Sequence, residues 1–163
     1  MSTSTSDPLF AGTLEGWQNY NGLLSKALAP LTDEQLDLRP APNLRSVREL
    51  AMHIVGTRAG WFHRMLHEGG DEIEALANWG RDGQQRGASE LVAGLDTTWR
   101  LMSESIARWT PEERAGSVTA ERYGQTHTLT RAWVVWHVLE HDLHHGGEIG
   151  YTLGMHGVAA PEI

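Results

Sequence analysis

The sequence predicts an all-α protein, a four-helix bundle with long crossover connections. Three observations favour this fold class. Four long segments carry apolar residues at helical intervals, helix-start signals precede several of them, and two connections are long enough to cross over the bundle. A chain of 163 residues fits one domain, so we expect a single domain over residues 1–163.

The first helix is predicted over residues 10–28 and is followed by a turn and a loop. Pro30 ends this helix because proline lacks the N–H that a helix interior needs. Residues 32–35 predict a short capped turn, and residues 38–43, with two prolines, predict a loop. The residues that form the apolar face of this helix are Leu14, Trp17, Leu23, Leu24, Ala27 and Leu28.

The second helix begins at a capping box formed by Ser46 and Glu49. The hydroxyl can accept from a backbone N–H of the first turn, and the carboxylate can reach back to the cap. We expect the helix to extend to about residue 67, before two glycines, and residues 71–87 to form a connection with room for one loose helical turn. Its predicted core residues are Val47, Leu50, Ile54, Trp61 and Leu66.

The third helix is predicted over residues 89–109. A further helix-start signal follows at residues 110–113, where Pro111 occupies the first helical position and a glutamate lies three residues after the threonine cap. The apolar stripe of the third helix comprises Leu91, Val92, Leu95, Trp99, Met102 and Ile106.

Polar and apolar residues alternate over residues 117–128, and this pattern predicts an extended segment with a small hairpin around Tyr123 and Gly124. A threonine at 128 or 130 then caps the fourth helix, which we expect to end near Gly154. An α+β domain in which the extended segment joins a sheet is the alternative fold. A single weak hairpin makes it the less favoured one.

The composition limits the classes of function. The formal net charge is −8 and no run of basic residues is present, so we expect no nucleic-acid partner. No segment is apolar enough to span a membrane, and residues 1–7 carry no secretory pattern, so we expect a cytoplasmic protein without membrane contact. The absence of cysteine excludes thiolate ligands and nucleophiles.

The nine histidines are unevenly distributed, and four of them lie on one arc of the fourth helix. His137, His141 and His145 follow at intervals of four residues, and His144 lies in the same arc. Two imidazoles at this spacing can share one metal ion, with the third ligand supplied by a neighbouring helix. His53, in the middle of the second helix, is expected to point inward as that ligand.

A single histidine on an apolar face is more often satisfied by one hydrogen bond than by a metal. Four histidines on one arc are harder to explain in that way, because burial without a metal would leave several ring nitrogens unsatisfied. The spacing alone does not decide between the pair His137/His141 and the pair His141/His145.

Two segments resemble the DinB-like family of metal-binding four-helix bundles. Residues 38–54, ending in His53-Ile54, are similar to the family's loop and second helix, where a histidine before Ile or Val supplies a ligand. Residues 137–149 are similar to its final helix, in which two histidines four apart precede an Arg-Gly-Gln-like stretch. Residues 20–21 and 31–36 also resemble the first helix and its exit, so the likeness extends over residues 16–154.

The resemblance implies a ligand set. Aligning the tail of the final-helix motif with residues 146–148 selects His141 and His145, and His53 is the third metal ligand. Gly146 stands in place of the arginine of that tail and Glu148 in place of its glutamine. We expect a divalent metal ion at this site, zinc or nickel, although imidazoles also suit copper and iron.

Three histidines leave a coordination position for water or substrate, which is the open arrangement of catalytic sites. The resemblance implies a metal-dependent transferase of the thiol-conjugating type, or a hydrolase, acting on a small molecule. The alternative is a non-catalytic metal-binding protein that serves in stress response or association. Glu148 is a candidate general base, or else a carboxylate that orients an imidazole.

We also expect a homodimer. Seven tryptophans, together with long apolar stripes on the first and third helices, exceed what one four-helix core can hide. Two of the seven, Trp133 and Trp136, flank the histidine face and are expected either to line a pocket or to belong to the core.

Overall fold

A computed structural model describes residues 7–122 and 124–161, without the side chain of Arg122. The chain is mostly helical, with one small sheet. In order, its elements are α1 (Pro8–Leu28), α2 (Asp33–Leu36), α3 (Val47–Gly60) continued by a π-helical turn (Trp61–Met65), α4 (Gly70–Leu76), α5 (Ala88–Arg108), α6 (Pro111–Ala115), β1 (Ser117–Arg122), β2 (Gln125–Thr130) and α7 (Arg131–Met155).

Side-chain caps fix the starts of several helices at the positions that the sequence predicted. At α3, Ser46 Oγ accepts from the backbone N–H of Glu49 at 3.2 Å, and the Glu49 carboxylate accepts from the Ser46 N–H at 2.7 Å. The same reciprocal box is present at Thr32 and at Thr110, and Thr130 caps α7. Each cap satisfies backbone donors that would otherwise lack a partner.

The second long helix differs from its prediction beyond residue 60. The chain widens there into a π-helical turn, with the N–H of Leu66 bonding to the Trp61 carbonyl at 3.2 Å. Trp61, Phe62 and Met65 are all buried, so the turn keeps three large side chains in the core. Residues 70–76 form the helix α4 within the predicted connection.

The extended segment is an antiparallel hairpin in which Ser117 pairs with Thr130 and Arg122 with Gln125. Its predicted turn included Tyr123, which lies outside the described residues, and Gly124, which has a positive φ of 72°. Within the described part of the chain these two strands form the only sheet, so the chain is helical with a small hairpin rather than an α+β domain.

The long helices pack through two connected apolar clusters. One is centred on Trp17, Phe62 and Met102, and the other on Leu24, Ile54 and Leu95. The predicted core residues of α3 are all buried. Helix α3 packs against both α5 and α7, and α1 packs against α5.

The exposed apolar residues lie elsewhere than expected. Helices α1 and α5 leave no large apolar side chain exposed apart from Leu9 at the start of α1, although Phe10, Leu14, Leu23, Val92 and Trp99 are only partly buried. The exposed set is concentrated on α7: Trp133, Trp136, Leu143, Tyr151 and Met155. Trp133 and Trp136 therefore do not belong to the core. Among the described residues, no helix has the length and apolar character needed to cross a membrane.

Candidate metal centre

Three histidines meet where α3 packs against α7. His53 comes from the middle of α3, and His141 and His145 lie one turn apart on α7. The Nε2 atoms of His53 and His141 are 3.0 Å apart. One nitrogen from each of the three rings lies within 4.8 Å of the others.

These separations suit one shared cation. Tetrahedral coordination at roughly 2.0–2.1 Å per bond places ligand nitrogens about 3.4 Å apart. The three rings contact one another edge-on or tilted, with centroids 4.4–4.7 Å apart. The cluster could therefore hold a metal ion, and its all-imidazole donor set fits zinc, nickel, copper or iron.

The other two histidines of the α7 arc lie outside this group. His137 stacks on Trp133 with a centroid distance of 5.1 Å and meets the edge of Trp61 at 4.8 Å. The side chain of His144 is 66% exposed. The structure thus brings His53 together with the pair His141/His145, and places His137 among aromatic rings.

Glu148 contacts an imidazole of the cluster. Its Oε2 lies 2.6 Å from Nδ1 of His145, which leaves the Nε2 of that ring available to a metal. A carboxylate in this position fixes the tautomer and orientation of a ligand histidine and raises its basicity. This geometry supports the orienting role for Glu148 over that of a general base.

Burial keeps two of the imidazoles in the neutral form that a metal requires. Burial lowers the pKa of His53 to about 4, with the charges of Arg45, His145 and Arg81 contributing in the same direction. Burial also lowers the pKa of His141 to about 2, with smaller contributions from the neighbouring histidines. Neither ring needs to lose a proton at neutral pH before binding a cation.

The lowered pKa predicts how acid affects the metal-free protein. An unfolded histidine takes up a proton near pH 6.5, whereas folded His53 does so only near pH 4. The unfolded state therefore binds more protons between these values, and the free energy of unfolding should fall as the pH is lowered from 6.5 towards 4. Urea unfolding of the metal-free protein at several pH values measures this dependence of the unfolding free energy on pH.

His53→Gln is the matched variant for this pH dependence, because glutamine is polar but does not titrate. We expect a flatter dependence of stability on pH in this variant than in the wild type. The same dependence in both proteins would contradict the lowered pKa of His53.

A buried ion pair lies directly beneath the histidines and was not predicted from the sequence. Arg58 Nε donates to Asp142 Oδ2 at 2.8 Å, and both side chains have no exposed surface. Trp17 Nε1 donates to the same oxygen at 2.7 Å. Burial raises the pKa of the Asp142 carboxyl, and the charge and hydrogen bond of Arg58 oppose that rise.

The remaining contacts of Arg58 extend this network to every long helix. Its guanidinium donates to Asn21 Oδ1 of α1 at 2.7 Å and to the Leu95 carbonyl of α5 at 3.1 Å. Asp142 adjoins His141 on α7. The network therefore fixes the relative positions of α3 and α7, which carry the three histidines. A sequence signal existed, because Asp142 lies between Val138 and Gly146 on the apolar side of α7.

Packing against α1 explains why glycine, and not the arginine of the family motif, is present at position 146. A Cβ built at this position would collide with the hydroxyl of Tyr20 on α1. Tyr20 itself is buried, and burial raises its pKa, with Asp142 adding to the rise. The tyrosine of α1 thus occupies the space that a side chain at position 146 would need.

A cavity of about 720 Å³ opens beside His53. Its walls come from the start and middle of α3, the loop after α4 and the strand β1. Apolar side chains form part of the lining, among them Met52, Trp61 and Trp79. Neither Trp133 nor Trp136 lines it.

Comparison with known proteins identifies a family and similar folds. The sequence profile of the DinB family matches residues 1–163. A DinB-like protein from Bacillus cereus ATCC 10987 is 20% identical, with a TM-score of 0.72 over 94% of this chain and 96% of that one. A protein from Exiguobacterium sibiricum 255-15, described as a candidate member of the DinB family, is 17% identical, with a TM-score of 0.61 over 88% of this chain and 91% of that one. These two likenesses show the fold alone. No curated protein matches the chain.

Proposed function

This chain belongs to the DinB family, and we propose that it binds one divalent metal ion through His53, His141 and His145. Zinc or nickel is the proposed ion. The observation that carries the proposal is the convergence of three imidazole nitrogens from two helices, all within 4.8 Å. The contact between Glu148 and His145 supports it, because ligand histidines commonly donate their second ring nitrogen to a carboxylate.

We further propose that the protein is an enzyme acting on a small molecule, either a transferase of the thiol-conjugating type or a hydrolase. Three protein ligands leave a position open, and one of them, His53, lines the cavity, which would place a bound substrate beside the proposed ion. A cation held there would supply Lewis-acid chemistry, lowering the pKa of a bound water or thiol. The chain's own part is to orient the imidazoles and to enclose the substrate.

The test combines metal analysis with turnover. Protein purified without a histidine tag is expected to contain about one divalent metal per chain by mass spectrometry. The metal-loaded protein is then assayed with small thiols and electrophiles, and with ester and amide substrates. Metal without turnover of any of these would favour the alternative, a non-catalytic metal-binding protein in stress response or association. Protein without metal, even after reconstitution, would contradict the metal site itself.

The four long helices α1, α3, α5 and α7 are taken to form a four-helix bundle with long crossover connections, which the packing of α3 on α5 and α7 supports. The protein is proposed to act in the cytoplasm, which fractionation of cells that express the chain would test.

We propose a homodimer that forms through α7. Its exposed apolar residues fall within an arc of about 120° on one side of the helix. Exposed apolar side chains aligned on one side of a helix commonly belong to an interface, and two-fold pairs are the commonest oligomers. Light scattering at micromolar concentration is expected to give the mass of two chains.

Trp136→Glu tests that surface, because this side chain is 57% exposed and makes little contribution to the core. The variant should shift towards the mass of one chain, whereas Leu9→Glu, an exposed apolar residue on α1, should not. A wild-type protein that remains monomeric would show the dimer proposal to be wrong.

A further inference from the structure

The cavity beside His53 has a charge opposite to that of the chain as a whole. Its lining contains five arginines and three carboxylates. The whole chain has a formal net charge of −8. A concave site that concentrates positive charge within an acidic protein attracts anions and raises their local concentration.

Three of the five arginines are already engaged. Arg39 pairs with Glu49 at 2.7 Å, and Arg48 pairs with Asp37 at 2.9 Å and with Asp33. Arg64 donates to the side-chain oxygen of Asn78 at 2.7 Å. These contacts hold the loops around the cavity and use up most of the donors that the three guanidiniums offer.

Arg45 and Arg81 differ from the other three. Within residues 7–122 and 124–161, neither guanidinium has a hydrogen bond or an ion pair with another side chain or with the backbone. Both line the cavity. Both also lie close enough to His53 for their charges to act on its imidazole. Two unpaired guanidiniums thus face the same space as a proposed metal ligand.

The packing of the loop between α4 and α5 holds Arg81 at this place. A Cβ at Gly56 of α3 would lie 2.5 Å from the carbonyl oxygen of Trp79, so only glycine lets the loop approach the helix this closely. Gly80 has a φ of 79° and lies against the backbone of His53. The loop therefore turns directly over His53, and Arg81 follows at the rim.

We propose that Arg45 and Arg81 bind the oxyanion of a small organic substrate whose reactive atom lies at the histidine centre. The proposed substrate is a compact molecule with two parts. Its apolar part packs against Met52, Trp61 and Trp79, and its carboxylate or phosphate binds the two arginines. A guanidinium presents paired N–H donors that match the oxygens of either anion. This inference rests on the proposed metal site for the position of the reactive atom.

The first experiment uses the cobalt-loaded protein and two short thiols, one ending in a carboxylate and the other in an uncharged hydroxyl. Binding of 3-mercaptopropionate and of 2-mercaptoethanol is followed by the thiolate-to-cobalt absorption band. We expect the wild type to bind the mercaptocarboxylate roughly tenfold more tightly. Arg45→Gln/Arg81→Gln should lose this preference while keeping its cobalt content and its affinity for 2-mercaptoethanol.

Arg100→Gln/Arg108→Gln is the matched control, because it removes the same charge from exposed arginines outside the cavity. This variant should keep the preference for the charged thiol. Equal binding of the two thiols by the wild type would overturn the proposal. So would a preference that survives in Arg45→Gln/Arg81→Gln.

A second experiment separates this proposal from the metal site. Inorganic phosphate and succinate are titrated into the metal-free protein, and amide shifts near His53 and Trp79 are followed by NMR. Binding that is lost in Arg45→Gln/Arg81→Gln, but not in the control, supports the anion site even if cobalt does not bind. The tighter of the two anions identifies the oxyanion. No binding of either anion overturns the proposal.

Discussion

His141→Ala is expected to weaken metal binding by more than about 100-fold, since changing residues outside the ligand set alone costs 10–100-fold. The ring of His141 contacts both of the other ligand rings, and its Nε2 lies 3.0 Å from that of His53. Its loss would leave two imidazoles on different helices. Metal content after dialysis and competition titration with a chelator measure the effect, and His145→Ala should behave in the same way.

His144→Ala is the matched control, because it removes an exposed histidine from the same helix. Its metal content should equal that of the wild type. The double variant His141→Ala/His145→Ala should retain no metal. Stoichiometric metal in that double variant would overturn the assignment and point to His137 as a ligand.

Asp142→Ala is expected to lower the free energy of unfolding by about 3–5 kcal/mol, the cost of removing one partner of a buried ion pair. Arg58 would remain charged without its counter-ion, and the Trp17 N–H would lose its acceptor. Urea or thermal unfolding of the metal-free protein measures the change. Glu140→Ala, two residues away and exposed, should change stability by less than about 0.5 kcal/mol.

The paired variant Arg58→Met/Asp142→Leu tests whether the loss of stability in Asp142→Ala comes from the unpaired charge of Arg58. Replacing both partners by apolar residues removes that charge, so the double variant should be less destabilised than either single charge deletion. Costs that simply add would show that the two side chains stabilise the fold independently.

Much of the helical framework could be predicted from local chemistry. The capping boxes at Ser46 and Thr110 predict where two helices begin from only a few adjacent residues. The spacing of the apolar residues in α5 predicts which face of that helix is buried. The π-helical turn at residues 61–65 could not be predicted in this way. It depends on three large side chains of the same turn, Trp61, Phe62 and Met65, all of which reach the core, and only tertiary packing reveals this.

The three histidines could be selected only with the family motif. Spacing on α7 allowed two pairs, and the difference lies in what surrounds each ring in three dimensions. His137 contacts Trp133 of the preceding turn and Trp61 of the π-helical turn, whereas His145 contacts His53 and is held by Glu148. The ion pair of Arg58 and Asp142 joins residues 84 positions apart, a separation at which a sequence pattern carries no pairing information.

A crystal structure of the metal-loaded protein, with anomalous scattering at the metal edge, tests the central claim most directly. We predict one metal per chain, bound by nitrogens of His53, His141 and His145, with no other protein atom within bonding distance. Glu140 lies on the exposed side of α7, and Asp142 is held by Arg58, so neither is free to join. A fourth protein ligand would contradict the enzyme proposal, and a metal bound elsewhere would contradict the site.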